Sequence, residues 1–396
     1  MKVAIISYMF PPMGGGGIQR ILSLANHLTN SCDVTVVTED VSRYAYDVYD
    51  NSVFVDSKIS VLTPSGVTNP SERLVQEFSL KSSESVSVKR HGRGLKKILK
   101  NWINWFLPDS KISFVVGVMR NLLISDKHDI VVASVRPPSN AVVGFIYSVL
   151  KNVPLIVEYR DLWFGQEFQT KMYSPFLYMY EYLVLNRAVK IIVVSPAYEK
   201  ILVSRYPWFK DKFELLTNGF DVNLLERSPN NQNLARHFSH YGRFYGPRKP
   251  DQFTDILSKL ESNLFLDHYG PYYHSHSPLF RNKGHISYSD AWRSQNSSMS
   301  GILLVIEYTA DNIPGKLFEY YATGKPVLCV VPFNSVIREV FAGVERFVFT
   351  DHSEVSISQS IRIVLEKDEL VQVLKTDRFS RDVINGHYES ILREYA

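Results

Sequence analysis

The residues best placed to do chemistry lie late in the chain, in the run Asn312-Ile-Pro-Gly-Lys-Leu-Phe-Glu-Tyr-Tyr-Ala-Thr-Gly-Lys-Pro-Val-Leu328. Pro314 and Gly315 form a turn ahead of a short helix, and Leu317, Phe318, Tyr321 and Ala322 supply its apolar side. Gly324 and Pro326 end the helix, and residues 327–331 read as a buried strand. A helix start behind a Pro-Gly turn offers backbone N–H groups to an anion. Lys316 adds a full positive charge there. Glu319, within the same short helix, is a carboxylate able to accept hydrogen bonds from a sugar hydroxyl pair. Asp311 lies eight positions before it. Phosphate chemistry next to diol recognition is what these residue types at this spacing support.

A second group opens the chain. Residues 3–7 are a β-rich apolar run, followed by Tyr8-Met-Phe-Pro-Pro-Met-Gly-Gly-Gly-Gly-Ile-Gln-Arg20 and a helical pattern through Ile21, Leu22, Leu24, Ala25 and Leu28. Gly15, Gly16 and Gly17 fall where strand passes to helix, so the backbone is open to a ligand. Glu39 and Asp40 end the next strand, about 20 residues further on, which keeps a dinucleotide-binding reading open. Pro11-Pro12 lengthens the loop where that fingerprint needs a tight turn.

The late run resembles the donor-binding motif of the large retaining glycosyltransferase family of GT-B fold (glycosyl transferases group 1, family 4), which includes many bacterial surface-polysaccharide transferases. That family carries two acidic residues eight positions apart. The resemblance implies that Glu319 holds the nucleotide ribose and that Asp311 stands where Glu is usual, one methylene shorter. It further implies donor binding by Gly315, Lys316 and Leu317. The Pro-Pro-Gly-Gly opening with Arg20 is similar to the family's first loop. Arg160-Asp161-Leu-Trp163, Ser195-Pro196 and Asn218-Gly-Phe-Asp221 resemble further signatures. Arg160 occupies a position often held by His. As a permanent cation it is no base. It would stabilise a leaving diphosphate or orient Asp161, or the two would form an ion pair tying strand to helix. Tyr241-Gly-Arg-Phe-Tyr-Gly246 looks like the family's strand-to-loop turn. Arg243 and Arg248, with Lys249 beside them, match its basic residues at the donor pyrophosphate.

These residues need an α/β frame, and strand and helix patterns alternate along the chain. Strands are expected at 33–38, 129–134, 155–158, 191–195 and 213–216, and helices at 140–150, 173–188 and from Pro196. The interesting residues sit at strand ends, where open α/β sheets bind ligands. A polar stretch at 226–236, with Pro229 and three Asn, reads as a linker. The fold class is therefore α/β with two facing Rossmann-like domains. Residues 1–228 form the acceptor side and 229–396 the donor side. A helical pattern from Glu366 is expected to cross back to the first domain.

Composition sets bounds. The chain has 396 residues, with 45% hydrophobic and 21% charged, as in a folded protein. A net charge of +4 does not point to nucleic acid. Cys32 and Cys329, in expected strands, read as buried thiols of a reducing compartment. No signal peptide or membrane span is expected, residues 112–124 being interrupted by Ser113, Arg120 and Asn121. His268, His274 and His276 fall in an expected loop without a third ligand at clear spacing, so no metal is expected. The resemblance implies work without an essential metal or cofactor, as is general in the family, with the nucleotide-sugar as substrate. Residues 89–106 read as a basic amphipathic helix with six cations and two tryptophans. It would either bind an anionic membrane surface, each cation contributing about 1 kcal/mol, or pack on the first domain. Residues 79–88 read as a Ser-rich loop before it.

The expected activity is transfer of a hexosyl-type sugar from a nucleotide diphosphate to a glycan or polyprenyl-linked saccharide. The implied setting is bacterial capsule, O-antigen, lipopolysaccharide or exopolysaccharide assembly, in the cytoplasm or on the inner membrane face. Three other classes stand beside it: a nucleotide-sugar 2-epimerase of the same fold, a non-catalytic glycan- or nucleotide-binding protein, and, more distantly, a dehydrogenase.

Overall fold

The computed structural model describes residues 1–14, 16–40, 53–68, 108–165, 175–223, 235–260, 264–367, 373–374 and 376–396. They fall into two compact units. One comprises Met1–Thr217 with Asn385–Ala396, and the other Asn218–Ile384. The expected boundary at 228/229, most of the linker at 226–236, the segments 79–88 and 89–106, and Gly15 lie outside the described residues.

The first unit is built on eight strands: β1 (Lys2–Ile6), β2 (Asp33–Val37), β3 (Ser60–Thr63), β4 (Gly66–Thr68), β5 (Ile130–Val135), β6 (Leu155–Tyr159), β7 (Lys190–Val193) and β8 (Phe213–Leu215). Their order is β4-β3-β2-β1-β5-β6-β7-β8. Pairing is parallel except for the β3–β4 edge hairpin, which the sequence reading did not anticipate. All six residues of β5 and all five of β6 are buried, as parallel strands covered on both faces require. The helix Pro138–Lys151 packs so tightly that a Cβ on Gly144 would lie 2.8 Å from the Ala133 methyl and 3.0 Å from Leu155. The helix Gly16–Leu28 buries Ile18, Ile21, Leu22, Leu24, Ala25 and Leu28. Asn385 of the terminal helix Arg381–Tyr395 donates to the Ser23 hydroxyl at 2.9 Å.

The second unit carries β9 (Phe238–Tyr241), β10 (Leu266–Tyr269), β11 (Phe280–Gly284), β12 (Ile302–Ile306), β13 (Val327–Val330) and β14 (Phe347–Thr350). All pair in parallel, in the order β11-β10-β9-β12-β13-β14. The chain leaves β9 toward one edge and returns beside it as β12, so the sheet has a switch point between these strands. Its core gathers Phe238, Phe253, Leu266, Leu304, Leu328 and Ile361.

Three expectations need correction. His268 and Tyr269 lie in β10, because Leu266 and His268 alternate inward in register with Phe238 and His240. The helical pattern from Glu366 is not one helix. Helix Glu354–Leu365 ends there, and after Ser380 pairs with Phe220 the terminal helix starts only at Arg381. Cys32 sits in the turn before β2 rather than in a strand. Among the described residues no helix is long and apolar enough to cross a membrane.

Gly144→Val is expected to lower unfolding free energy by about 1–3 kcal/mol through overpacking. Gly386→Ala, at an exposed position of the terminal helix with open space at its Cβ, should raise it by about 0.5–1 kcal/mol. Denaturant titration of the two variants checks the contrast.

Candidate functional site

The second unit's switch point holds a buried ion pair. After β9 the chain turns through Gly242 and Gly246, whose φ angles of 104° and 59° suit glycine, and reaches Arg248. Phe244 anchors this loop by stacking on His240, with ring centroids 3.8 Å apart. Arg248 Nε donates to Glu307 Oε1 at 2.9 Å, and its Nη2 pairs with Oε2. Its Nη1 donates to the Tyr245 hydroxyl, and the guanidinium sits 4.3 Å from that ring's centre. Glu307 directly follows β12 and is fully buried. It also accepts from the N–H groups of Tyr308 and Thr309, the Thr309 hydroxyl and the Asn312 amide, all at 2.9–3.1 Å. Sequence reading did not single out Glu307. The available signal was an acid closing an otherwise apolar strand. Arg243 and Lys249, flanking Arg248, are exposed.

Lys316 begins the seven-residue helix Lys316–Ala322. Its Nζ donates to the Tyr241 carbonyl at 3.0 Å and lies 2.5 Å from His240 Nε2. Burial, followed by the neighbouring Arg248 charge, pushes the ammonium down to about 7. The Pro314–Gly315 turn is tighter than a free helix end. Leu317 N–H donates to Pro314 and Phe318 N–H to Gly315, at 3.0 and 3.1 Å. Leu317 is wholly buried, whereas Gly315 is exposed with open space where a Cβ would stand. Asp311 is half-buried in the loop between Glu307 and this helix.

Glu319 faces the helix Tyr288–Asn296, capped by the Ser287 hydroxyl. Tyr288 and Gln295, two turns apart on one face, lie near its carboxylate, with Arg381 and Lys316 also close. Burial raises the carboxyl above its ordinary range, and these partners oppose the rise. Arg381 also neighbours Asp221, so the unit's first and last segments both contribute. Arg248, Lys316 and Glu319 thus converge at the carboxyl ends of β9 and β12.

Gly16, Gly17, Arg160 and Asp161 lie in the first unit. Arg160 follows β6 and reaches back to the glycine loop. Its Nη1 donates to the Gly17 carbonyl and its Nη2 to the Arg136 carbonyl at 3.3 Å. Burial lowers this guanidinium's pKa, with Glu158 and Asp161 opposing. A Cβ at Gly17 would meet Arg160 at an ordinary 3.6 Å, so packing within this unit does not demand glycine there. Arg20 pairs with the fully buried Glu158 and the Thr217 carbonyl. Among the described residues Arg20 Nη2, Glu158 Oε2, Arg160 Nε and Tyr388 Oη have no hydrogen-bond partner, marking polar capacity inside the unit. Glu158 and Tyr388 were not singled out from sequence. Among the described residues no group of three or more His, Cys, Asp or Glu is placed to hold a metal ion.

Arg248→Met would strand Glu307 as a buried charge and should cost about 3 kcal/mol in denaturant unfolding. Lys325 is a second buried lysine, held by the Ser297 carbonyl and the Ser300 hydroxyl and lowered by burial to about 7. Between pH 7 and 9 the unfolded chain, with lysines near 10.5, binds more protons than the folded one, so stability rises with pH. Each lysine contributes a slope of up to about 1.4 kcal/mol per pH unit. Lys316→Met should remove roughly half of the two-lysine slope, as read from unfolding curves across that window.

Residues 15–219, just over half of the chain, match the model of the glycosyl transferase 4-like domain. No match is found among curated proteins. Among solved structures, the chain is similar to Anabaena Alr3699/HepE in complex with UDP and glucose, at 13% identity and a TM-score of 0.65 over 99% of both chains. It is similar to a glycosyltransferase from Rickettsia africae at 11% identity and 0.57, over 100% of this chain and 94% of that one. WaaG, a glycosyltransferase involved in lipopolysaccharide biosynthesis, is similar at 13% identity and 0.55, over 99% and 96%. At such identities the likeness is one of fold, here the GT-B arrangement of two Rossmann-like units. The family model, together with that fold, establishes that the chain belongs to the glycosyl transferase 4-like family of glycosyltransferases.

Proposed function

We propose that this glycosyltransferase uses a nucleoside diphosphate sugar as donor and a glycan or polyprenyl-linked saccharide as acceptor, in assembly of a bacterial surface polysaccharide. The carrying observation is the convergence of Arg248, Lys316 and Glu319 at the switch point of the second unit. Lys316 supplies positive charge for the diphosphate. Exposed Arg243 and Lys249, on the loop that leads to and from Arg248, are available for the same charge. Arg248 is already committed to Glu307, so its contribution is to fix the loop and set the local potential. Glu319, held by its neighbours, is the acceptor for ribose hydroxyls, and Asp311 is assigned to the transferred sugar. Donor complexes of a fold relative, Anabaena Alr3699/HepE with UDP and with UDP-glucose, support a uridine diphosphate sugar as the first donor to test.

The first unit is assigned to the acceptor, with Gly16, Gly17, Arg160 and Asp161 at its strand ends. Retention of anomeric configuration is part of the proposal through family membership. So is attachment to the inner membrane face, for which the segment 89–106 is the sequence-based reason.

Thermal shift against UDP-, GDP-, dTDP- and CMP-sugars, with NAD as control, tests the donor. Ligand at about 100 times its dissociation constant should stabilise by about 2.7 kcal/mol. One sugar nucleotide should produce the shift, and Glu319→Ala should abolish it. Product analysis with that donor should show transfer only when a saccharide acceptor is present. An inverted sugar centre without acceptor would indicate an epimerase, binding without turnover a binding protein, and a response to NAD alone a dehydrogenase.

A further inference from the structure

The second unit buries two histidines that the donor reading leaves without a role. His240 and His268 are register partners in the adjacent parallel strands β9 and β10, so their side chains share one face. Both are almost wholly excluded from solvent. Their Nδ1 atoms lie 3.2 Å apart. At one end His268 Nε2 is 3.0 Å from the Pro271 carbonyl oxygen. At the other, His240 Nε2 is 2.5 Å from Lys316 Nζ.

With Lys316 present as an ammonium, only one arrangement of protons satisfies these contacts. The Pro271 carbonyl can only accept, so His268 carries its proton on Nε2. Its Nδ1 is then a lone pair and accepts the N–H of His240 Nδ1. That leaves His240 Nε2 as an acceptor, which receives an N–H from Lys316. The chain has a single direction, from the ammonium inward to the carbonyl, and both imidazoles are neutral. A second proton on His268 would put N–H on both of its nitrogens. His240 would then have to accept at Nδ1 and turn an N–H toward Lys316, donor against donor as long as the lysine is an ammonium. The proton count therefore ties the histidines to the lysine.

We propose that His240 and His268 are positioning residues, a one-way hydrogen-bond relay that holds the Lys316 ammonium in place and presents its remaining N–H to an anionic group of the ligand. What Lys316 meets rests on the donor reading above, whereas the relay itself does not. The surroundings agree. Burial depresses both histidines, His240 well below its ordinary range, with Lys316, His268 and Arg248 adding to the effect on His240. Lys316 is itself faced by Arg248, which disfavours its charge, and by Glu307, Glu319 and Cys329, which favour it. Phe244 closes the pair from the loop side by stacking on His240. Apolar side chains fill the rest of this face, so packing alone would be met by leucine at either position. An anionic ligand at Lys316 favours the protonated amine. Affinity should then fall as pH rises through the free lysine's titration, and an acceptor at position 240 should delay that fall.

Two measurements test this. Long-range ¹H–¹⁵N imidazole spectra of the ligand-free protein, assigned with His240→Gln and His268→Gln, should show His240 protonated on Nδ1 and His268 on Nε2. Neither should titrate between pH 6 and 8. The second measurement is the pH dependence of UDP-glucose binding from pH 6 to 8, a range in which neither the diphosphate nor the uracil N3–H of this probe changes charge. Wild type should lose affinity above about pH 7 by up to tenfold per pH unit. His240→Leu should begin the fall about one pH unit earlier, a loss of about tenfold at pH 8. His240→Gln, which can still accept from Lys316, should return toward wild type, and Lys316→Met should bind weakly and without the fall. Reversed tautomers, or an imidazolium forming near pH 6.5, would overturn the relay. An unshifted pH profile in folded His240→Leu would overturn its role. If wild type bound UDP-glucose at no pH, the donor reading would fail while the tautomers still decided the relay.

Discussion

The arrangement of the second unit turns on one constraint, the need to satisfy a carboxylate buried at the sheet's switch point. Glu307 has no water to turn to, so donors come to it from the β9 loop, the β12 loop and the segment leading to the helix Lys316–Ala322. An unpaired charge at that depth is worth several kcal/mol of instability. The same requirement that stabilises the loops fixes Arg248, and through it the potential felt by Lys316. Shape and charge at the site are therefore one problem with one solution.

Around that pair the unit handles its other buried polar groups in two ways. Glu319 is met by neutral and cationic donors from a neighbouring helix and from Arg381. The histidines are kept neutral, so they can pass a hydrogen bond through an apolar face without adding charge. In the first unit Arg20 and Glu158 neutralise each other, while polar atoms beside them have no partner among the described residues. Gln295 Oε1 and Arg381 Nε, beside Glu319 in the second unit, have none there either. Both units thus leave hydrogen-bonding capacity next to a neutralised charge.

Much of the frame was legible from sequence because it depends on local periodicity. Residues 155–158, apolar but for Glu158, and 327–331 were readable as strands, and Pro196 as the start of a helix. The donor run was readable for the same reason, since its turn, helix and strand lie within one short stretch. What escaped was non-local. Glu307 gains its importance from Arg248, 59 residues away, and His268 looked like loop because its partner in register is 28 residues distant. Gly16 and Gly17 showed the reverse limit. Their type suggested ligand approach, but the carbonyl of Gly17 turned out to be bound by Arg160, a contact no local pattern reports.

The last two rungs between β9 and β10 match like with like. Histidine stands opposite histidine on one face, and Tyr241 lies flat on Tyr269 on the other, at 4.6 Å and 4°. In a parallel pair a slip of one residue would oppose histidine to tyrosine and send the slipped strand's imidazole to the other side of the sheet. The ladder thus proofreads its own alignment with the residues that serve the site. Substitution at one rung position is felt at its mate, so positions 240 and 268 should drift together through descent rather than independently.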